Sequence, residues 1–204
     1  MKAARSVVVM ARPAVAGEVK TRLAEACGER LALAVYRLLL RRTLRRVAGG
    51  PWSTVVAVAP SAGERRRHRF RGLATMTQSG RDLGARMHNA FAAMPPGPVV
   101  MVGTDIPGLR RQHITRAFKA LERHDAVFGP AHDGGYWLVG LAPELRDAGI
   151  FSPVRWSTRH ALADTLENVP TACPVALIDA LGDVDTVEDV ERWLRGLLPR
   201  QIRC

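Results

Sequence analysis

Lysine is nearly missing from this chain: Lys2, Lys20 and Lys119 stand against 27 arginines in 204 residues. Cysteine is almost as scarce. Cys27, Cys173 and Cys204 are widely spaced with no C-x-x-C pair, which excludes a disulfide framework and a thiolate metal site and suits a reducing cytosol. No apolar run approaches the roughly 20 residues of a membrane helix, and the apolar start "SVVVM" is too short for a signal peptide, so the chain reads as cytoplasmic. Aromatic residues are 5% of the total and do not alternate with the basic ones, which argues against single-strand nucleic-acid binding. Helix-turn-helix, zinc-finger and RNA-recognition signatures are absent too, so no specific nucleic acid is expected. The G-x-x-x-x-G-K-[ST] spacing of a phosphate loop is also missing.

What is there suits one sizeable core. Hydrophobic residues make up 47%, and no linker or internal repeat divides the chain, which is read as a single domain over residues 1–204. The net charge of +11 is concentrated in "LRRTLRR" (Leu40–Arg46), on the polar face of an expected helix, and in "ERRRHRFR" (Glu64–Arg71), on a short helix or loop. Both are read as solvated faces with weak, non-specific polyanion binding as a by-product.

Strand and helix patterns alternate. Strands are expected at Ser6–Met10, Thr54–Ala59, Leu73–Gln78, Val99–Val102, Asp125–Ala131, Gly135–Leu141 and Pro174–Ile178. Helices are expected at Gly28–Val47, with an apolar stripe of Leu33, Tyr36, Leu40, Leu44 and Val47, and at Asp82–Met94, with Leu83, Met87, Ala90 and Phe91 on one face. Further helices are expected at Arg111–Arg123, Ser157–Asn168 and Thr186–Leu198. The last is expected to pack through Val187, Val190, Leu194 and Leu197 and to be capped by Thr186 with Asp189. This alternation predicts a three-layer α/β/α sandwich with a mostly parallel sheet, and Asp133-Gly134 predicts an antiparallel hairpin within it.

Four loops after expected strands carry candidate chemistry. "GEVKTR" puts Gly17, Lys20 and Arg22 before a helix, a pattern suited to phosphate, although an ordinary basic helix start accounts for it equally well. "QSGRDLGARM" offers Gln78, Asp82, Gly84 and Arg86, where Asp82 is first of all a helix cap. "VVMVGTDIPGL" ends a buried strand at Asp105, followed by a turn in which Pro107 pre-sets φ and Gly108 permits positive φ. That is the sheet edge where α/β proteins bind ligands, and a carboxylate there suits Mg²⁺ or Mn²⁺ held jointly with phosphates. The fourth set is Asp133, beside His132, together with Asp183 and Asp185, whose plainer use is to charge the start of the last helix. No histidine spacing points to a metal.

Taken together, "GEVKTRL", "RDLGARM", "GTDIPGL", "GPAHDGGYWLVGL", "RWSTRHALADTL" and "DVDTVEDV" occur in the order seen in a bacterial glycosyltransferase-A-like family of uncertain activity, related to nucleotidyltransferases such as 2-phospho-lactate guanylyltransferase. The resemblance runs from about Val7 to Leu194. It implies a nucleotide-diphospho-sugar transferase fold, with Asp105 and Asp185 as metal ligands. Lys20 and Arg22 would form the phosphate clamp, with Arg12 where the family has lysine, and the Gln78–Arg86 stretch would lie near base or ribose. Ala14 and Ala16 replace prolines of the first loop, Ile106 stands where cysteine is common, and Val187 replaces a proline. The G-x-G-x-R signature of sugar nucleotidyltransferases is missing.

Three functions follow as expectations. The first is a metal-dependent glycosyltransferase using a nucleotide-diphosphate sugar and a small-molecule acceptor, with Lys20 on the leaving diphosphate and Asp133 as base. The second is a nucleotidyltransferase acting on a phosphorylated substrate. The third is a protein that binds a nucleotide or polyanion without turnover, and the three carboxylates Asp105, Asp133 and Asp185 weigh against it.

Overall fold

The computed structural model describes residues 4–60, 70 and 72–197. The basic stretch Glu64–Arg71 and the chain ends, with Lys2 and Cys204, lie outside the described residues apart from Phe70. Among the described residues seven strands form one sheet: β1 (Ser6–Ala11), β2 (Ser53–Val58), β3 (Ala74–Thr77), β4 (Val99–Val102), β5 (Ala126–Pro130), β6 (Tyr136–Leu141) and β7 (Val175–Leu177), in the order β3-β2-β1-β4-β6-β5-β7. Of these, β6 runs antiparallel to its neighbours β4 and β5, and the other pairs are parallel. The continuous apolar runs of β1 and β4 are the reason these strands can lie at the centre, since helices cover both their faces. Val7, Val8 and Val9 are fully buried, and Val99 to Val102 are at most 2% exposed.

Side chains of period two divide the core in two. On one face Val8, Met101, Phe128 and Val139 pack against α3 (Leu83–Ala92) and α5 (Ala161–Glu167). On the other, Val7, Val9, Val100 and Val127 meet α2 (Glu29–Val47) and α4 (Arg111–Ala120). Here α1 (Thr21–Cys27) and α6 (Val187–Leu197) close the end beside α2, through Leu23, Val35, Leu39 and Val184. None of the described helices is long and apolar enough to cross a membrane.

Several local expectations shift. The first helix begins earlier and breaks at Gly28, whose φ of +82° separates α1 from α2. Leu83 is 42% exposed rather than on the packed face of α3. α6 packs through Val187, Val190 and Trp193, while Leu194 is 48% exposed. The bulky indole takes the contact, rotating the buried stripe by one position. Gly108 lacks the positive φ that the turn allowed, and a Cβ there would lie 3.3 Å from the Leu181 side chain.

The strand order sets the location of the site. From β1 the chain winds outward through β2 to β3, then returns to place β4 on the other side of β1. The carboxyl ends of β1 and β4 are therefore the point where the winding reverses, the place where open α/β sheets form a crevice.

Candidate functional site at the carboxyl ends of β1 and β4

The loop leaving β1 ends at Lys20, which adopts a left-handed conformation (φ 53°, ψ 48°) immediately before α1. That conformation is uncommon for a residue with a Cβ and often marks a functional constraint. Its Nζ lies 2.7 Å from Asp105 Oδ2 and 2.7 Å from Asp185 Oδ1, with only 3% of the side chain exposed. Burial alone would lower the lysine pKa, but Asp105 and Asp185 outweigh it and hold the ammonium above its ordinary value. Tyr36 ties down the same loop: its hydroxyl donates to Arg12 O at 2.8 Å and accepts from Arg12 N at 2.9 Å. Burial pushes the Tyr36 phenol up to about 12, so it stays protonated in this role.

Asp105 is fixed from three sides. Thr104 Oγ1 donates to its Oδ1 at 3.2 Å, and Val184 N donates to its carbonyl at 3.1 Å. From α2, Thr43 Oγ1 donates to Thr104 O at 3.2 Å, and Arg46 Nη1 donates to Pro107 O at 2.7 Å and also to Leu109 O. Two α2 side chains thus hold the carbonyls of the Thr104–Leu109 loop that carries the carboxylate.

Asp185 owes its position to the helix cap expected from sequence. Asp189 Oδ2 accepts from Asp185 N (3.1 Å), Thr186 N (3.0 Å) and Thr186 Oγ1 (3.1 Å), and Thr186 Oγ1 accepts in turn from Asp189 N at 3.3 Å. Asp183 lies two residues earlier. Its carboxyl is raised, first by burial and then by the negative charge of Asp185 and Asp133. A bulge at Gly129/Pro130 redirects the end of β5, and an isolated bridge between Ala131 and Leu181 brings the Asp133 turn alongside the Asp183–Asp185 segment. Gly134 is needed in that turn: φ is +87°, and a Cβ would come within 2.2 Å of Arg159 O. Asp133 Oδ1 accepts from Gly135 N at 2.9 Å, an Asx-type turn.

Two adjoining cavities open at this edge, both lined by Met10 and Gly103. One of about 360 Å³ is bordered by Arg12, Glu18, Lys20, Arg22, Thr104 and Asp105, with Asp185 at its side. The other, about 280 Å³, is bordered by Leu83, Met87, Tyr136, Trp156, Asp133 and Asp183. A larger hollow of about 670 Å³ lies elsewhere, between Arg41, Arg45 and Phe70 beside α2; its described lining holds no carboxylate and adjoins the undescribed stretch.

The structure therefore brings Arg12, Lys20, Arg22, Asp105 and Asp185 around one cavity and sets Asp133 in the next. Gly17 supplies a turn with φ +78° on the same loop. The remaining expected residues border neither cavity. Gln78 is buried, its Nε2 donating to Ala11 O (3.2 Å) and Ala57 O (2.8 Å), which ties together the ends of β1 and β2. Asp82 caps α3 by accepting from Ala85 N at 2.8 Å. Gly84 is a packing position, where a Cβ would meet Phe151 O at 2.3 Å, and Arg86 Nε donates to Gly80 O at 3.2 Å. Tyr36, expected as core, also anchors the first loop, and Asp183 stands near Asp133 and Asp185 as its candidate set suggests. Tyr136 and Trp156 fall inside the motifs "GPAHDGGYWLVGL" and "RWSTRHALADTL", in which the sequence assigns them no individual role.

Comparison with known proteins agrees with this architecture. The family model described as "Uncharacterized protein conserved in bacteria (DUF2064)" matches residues 43–158, more than half of the chain. A provisionally named nucleotide-diphospho-sugar transferase from Desulfovibrio desulfuricans G20 is 26% identical in sequence, with a TM-score of 0.85 over 98% of this chain and 90% of that one. Rv0371c of Mycobacterium tuberculosis H37Rv, crystallised with manganese, shares the fold at 18% identity and a TM-score of 0.58, covering 96% and 100% of the two chains. A CMP:2-keto-3-deoxy-manno-octonic acid synthetase complexed with CTP does so at 11% identity and a TM-score of 0.58, covering 98% and 100%. No curated protein matches the chain significantly.

Proposed function

We propose that this chain, which belongs to the DUF2064 family of bacterial proteins, is a single-domain, metal-dependent transferase that takes a sugar from a nucleotide-diphosphate donor. The observation that carries this reading is the buried Lys20 ammonium bridging Asp105 and Asp185 beside a cavity rimmed by Arg12 and Arg22. In open α/β folds such an edge, with backbone and basic groups around it, suits a diphosphate.

The residues fit a divalent cation. Asp105 and Asp185 face the Lys20 ammonium, and Asp183, whose carboxyl is raised first by burial and then by Asp185 and Asp133, lies beside them. Mg²⁺ and Mn²⁺ sites commonly draw on one or two carboxylates and complete their shell with phosphate and water. Asp105 and Asp185 would hold the ion, which supplies charge neutralisation to the departing nucleoside diphosphate. Lys20 would keep the two carboxylates in place and meet the diphosphate from the protein side. Arg12 and Arg22 would bind its outer oxygens, and Asp133 would accept the proton of the attacking hydroxyl.

The second reading, nucleotidyl transfer from a triphosphate to a phosphorylated substrate, draws on the fold shared with the CTP-bound synthetase. Thermal shift with nucleoside di- and triphosphates and nucleotide sugars, each with and without Mn²⁺ or Mg²⁺, separates the two. A ligand at a hundredfold its Kd stabilises by about 2.7 kcal/mol. Metal-dependent stabilisation by a diphosphate or its sugar is expected. Stabilisation by triphosphates alone selects the second reading, and no shift with any nucleotide removes both.

A further inference from the structure

The second cavity differs chemically from the first. Of the described residues that border it, none is lysine or arginine, and its two charged members are Asp133 and Asp183. Its walls are Met10, Leu83, Met87 and Met101, closed by the rings of Tyr136 and Trp156. The two rings are edge-on to each other, with centroids 6.3 Å apart, and Phe128 backs Tyr136 at 5.3 Å. The Tyr136 hydroxyl is satisfied within the protein, 3.4 Å from Thr165 Oγ1. Apolar walls with a few polar groups are typical of small-molecule sites, and a volume of about 280 Å³ falls just below their usual range, which limits the occupant to a small molecule.

A phosphorylated or carboxylated molecule entering here would lose hydration without meeting a cation, and would face two carboxylates. Burying an unpaired charge is costly, and like charges disfavour each other further. A neutral ring or an alkyl amine meets the opposite conditions. Flat apolar surface gains contact with Tyr136 and Trp156, and a positive group is attracted by Asp133 and Asp183.

Resting on the transferase reading above, we infer that the second substrate, bound in this cavity next to the diphosphate site, is a small neutral or cationic molecule with an apolar ring and a hydroxyl or amine. A phosphate ester does not fit it. The consequence is that the transferred group goes to an uncharged or basic acceptor, which disfavours coupling to a phosphorylated substrate.

Tyrosol, tyramine and phenyl phosphate have similar rings and differ in charge. Ligand-observed NMR titration of the intact protein with tyrosol, followed by displacement with the other two, tests the inference. Tyrosol is expected to bind and tyramine to displace it with an affinity about threefold higher, the size expected of partly exposed charge pairs. Phenyl phosphate is expected not to displace it. Since displacement of tyrosol is the readout, phenyl phosphate bound at Arg12 and Arg22 does not register. Leu83, 42% exposed at the start of α3, permits a change of charge with little risk to folding. Leu83→Arg should weaken tyramine and let phenyl phosphate displace tyrosol. Absence of tyrosol and tyramine binding, or displacement by phenyl phosphate in the unaltered protein, overturns the inference. Metal-dependent nucleotide stabilisation is read on the same samples, so that its persistence in either case leaves the transferase reading standing while the inference fails.

Discussion

Lys20 joins two carboxylates that the chain supplies from distant places, and its contribution divides between stability and binding. Removing one partner of a buried ion pair costs about 3–5 kcal/mol, because an uncompensated charge is left behind. Here Asp105 and Asp185 keep 34% and 40% of their side chains exposed, so water screens the charges that remain. Lys20→Met is therefore expected to cost about 1–3 kcal/mol in urea denaturation, below the fully buried figure. With the ammonium gone, Asp105 and Asp185 are free to share a metal ion even without the nucleotide phosphates that would complete its shell. Added Mn²⁺ should restore much of the loss in Lys20→Met while shifting the unaltered protein little in the absence of nucleotide. Equal Mn²⁺ responses would mean that the two carboxylates do not form a cation site. Asp105→Ala makes the complementary change. It should leave the fold intact by circular dichroism and abolish metal-dependent nucleotide binding by calorimetry; binding that survives would remove Asp105 from the site.

The elements holding these residues differ in how openly the sequence announced them. β1 and β4 were legible because strands buried on both faces are runs of valine with nothing polar to interrupt them. The Thr186/Asp189 cap was legible because its spacing is local. What stayed hidden depends on contacts between distant parts of the chain. Lys20 and Asp185 are 165 residues apart, and nothing around either predicts that one neutralises the other. The resemblance implies a place near base or ribose for Gln78 and Arg86, yet Gln78 Nε2 donates to the Ala11 and Ala57 carbonyls and Arg86 Nε to that of Gly80, contacts that no local pattern exposes. Trp156 was missed for the same reason. It sits in an irregular stretch secured by Asp164, which accepts from Arg155 N and Nε at 2.9 Å and from Arg155 Nη2 at 2.6 Å. The Arg155 side-chain bonds, followed by the Arg155 backbone bond, hold the Asp164 carboxyl far below the ordinary carboxylate range. A carboxyl lowered in the folded state adds stability that is present above its unfolded pKa of about 3.9 and is lost as pH falls through the folded value. Asp164→Asn should therefore lower the Tm at pH 7, with the difference closing progressively below pH 4 (about the unfolded value). It should also weaken tyrosol binding at pH 7 through the displaced Trp156. A Tm difference that is independent of pH would mean that the Arg155 pair is not its source.

Across the whole molecule, the charge of +11 raises the question of whether polyanions are the true ligand. The fold changes the meaning of that number. Expected to be a solvated face, "LRRTLRR" is in fact divided: Arg46 holds the Pro107 and Leu109 carbonyls, and Arg42 lies over the Trp193 ring at 6.0 Å, while Arg41 and Arg45 remain exposed. Arg146, 8% exposed, donates to the carbonyls of Phe91, Met94 and Pro95 at the end of α3 and just beyond it. In this chain arginine is in part a structural cap, which its planar set of donors suits and a lysine ammonium would serve less well. Among the described residues the other arginines lack the aromatic platforms of a nucleic-acid groove, so their attraction to a polyanion is a sum of exposed contacts that counterions compete away. Retention on heparin is accordingly expected to fall steeply with salt and to be the same for the unaltered protein and Asp105→Ala, with or without Mn²⁺. Nucleotide binding at Lys20 should show the opposite pattern, with metal dependence and loss in Asp105→Ala. If heparin retention also required Mn²⁺ and Asp105, the two ligands would share one site, and the polyanion would have to be taken as its occupant.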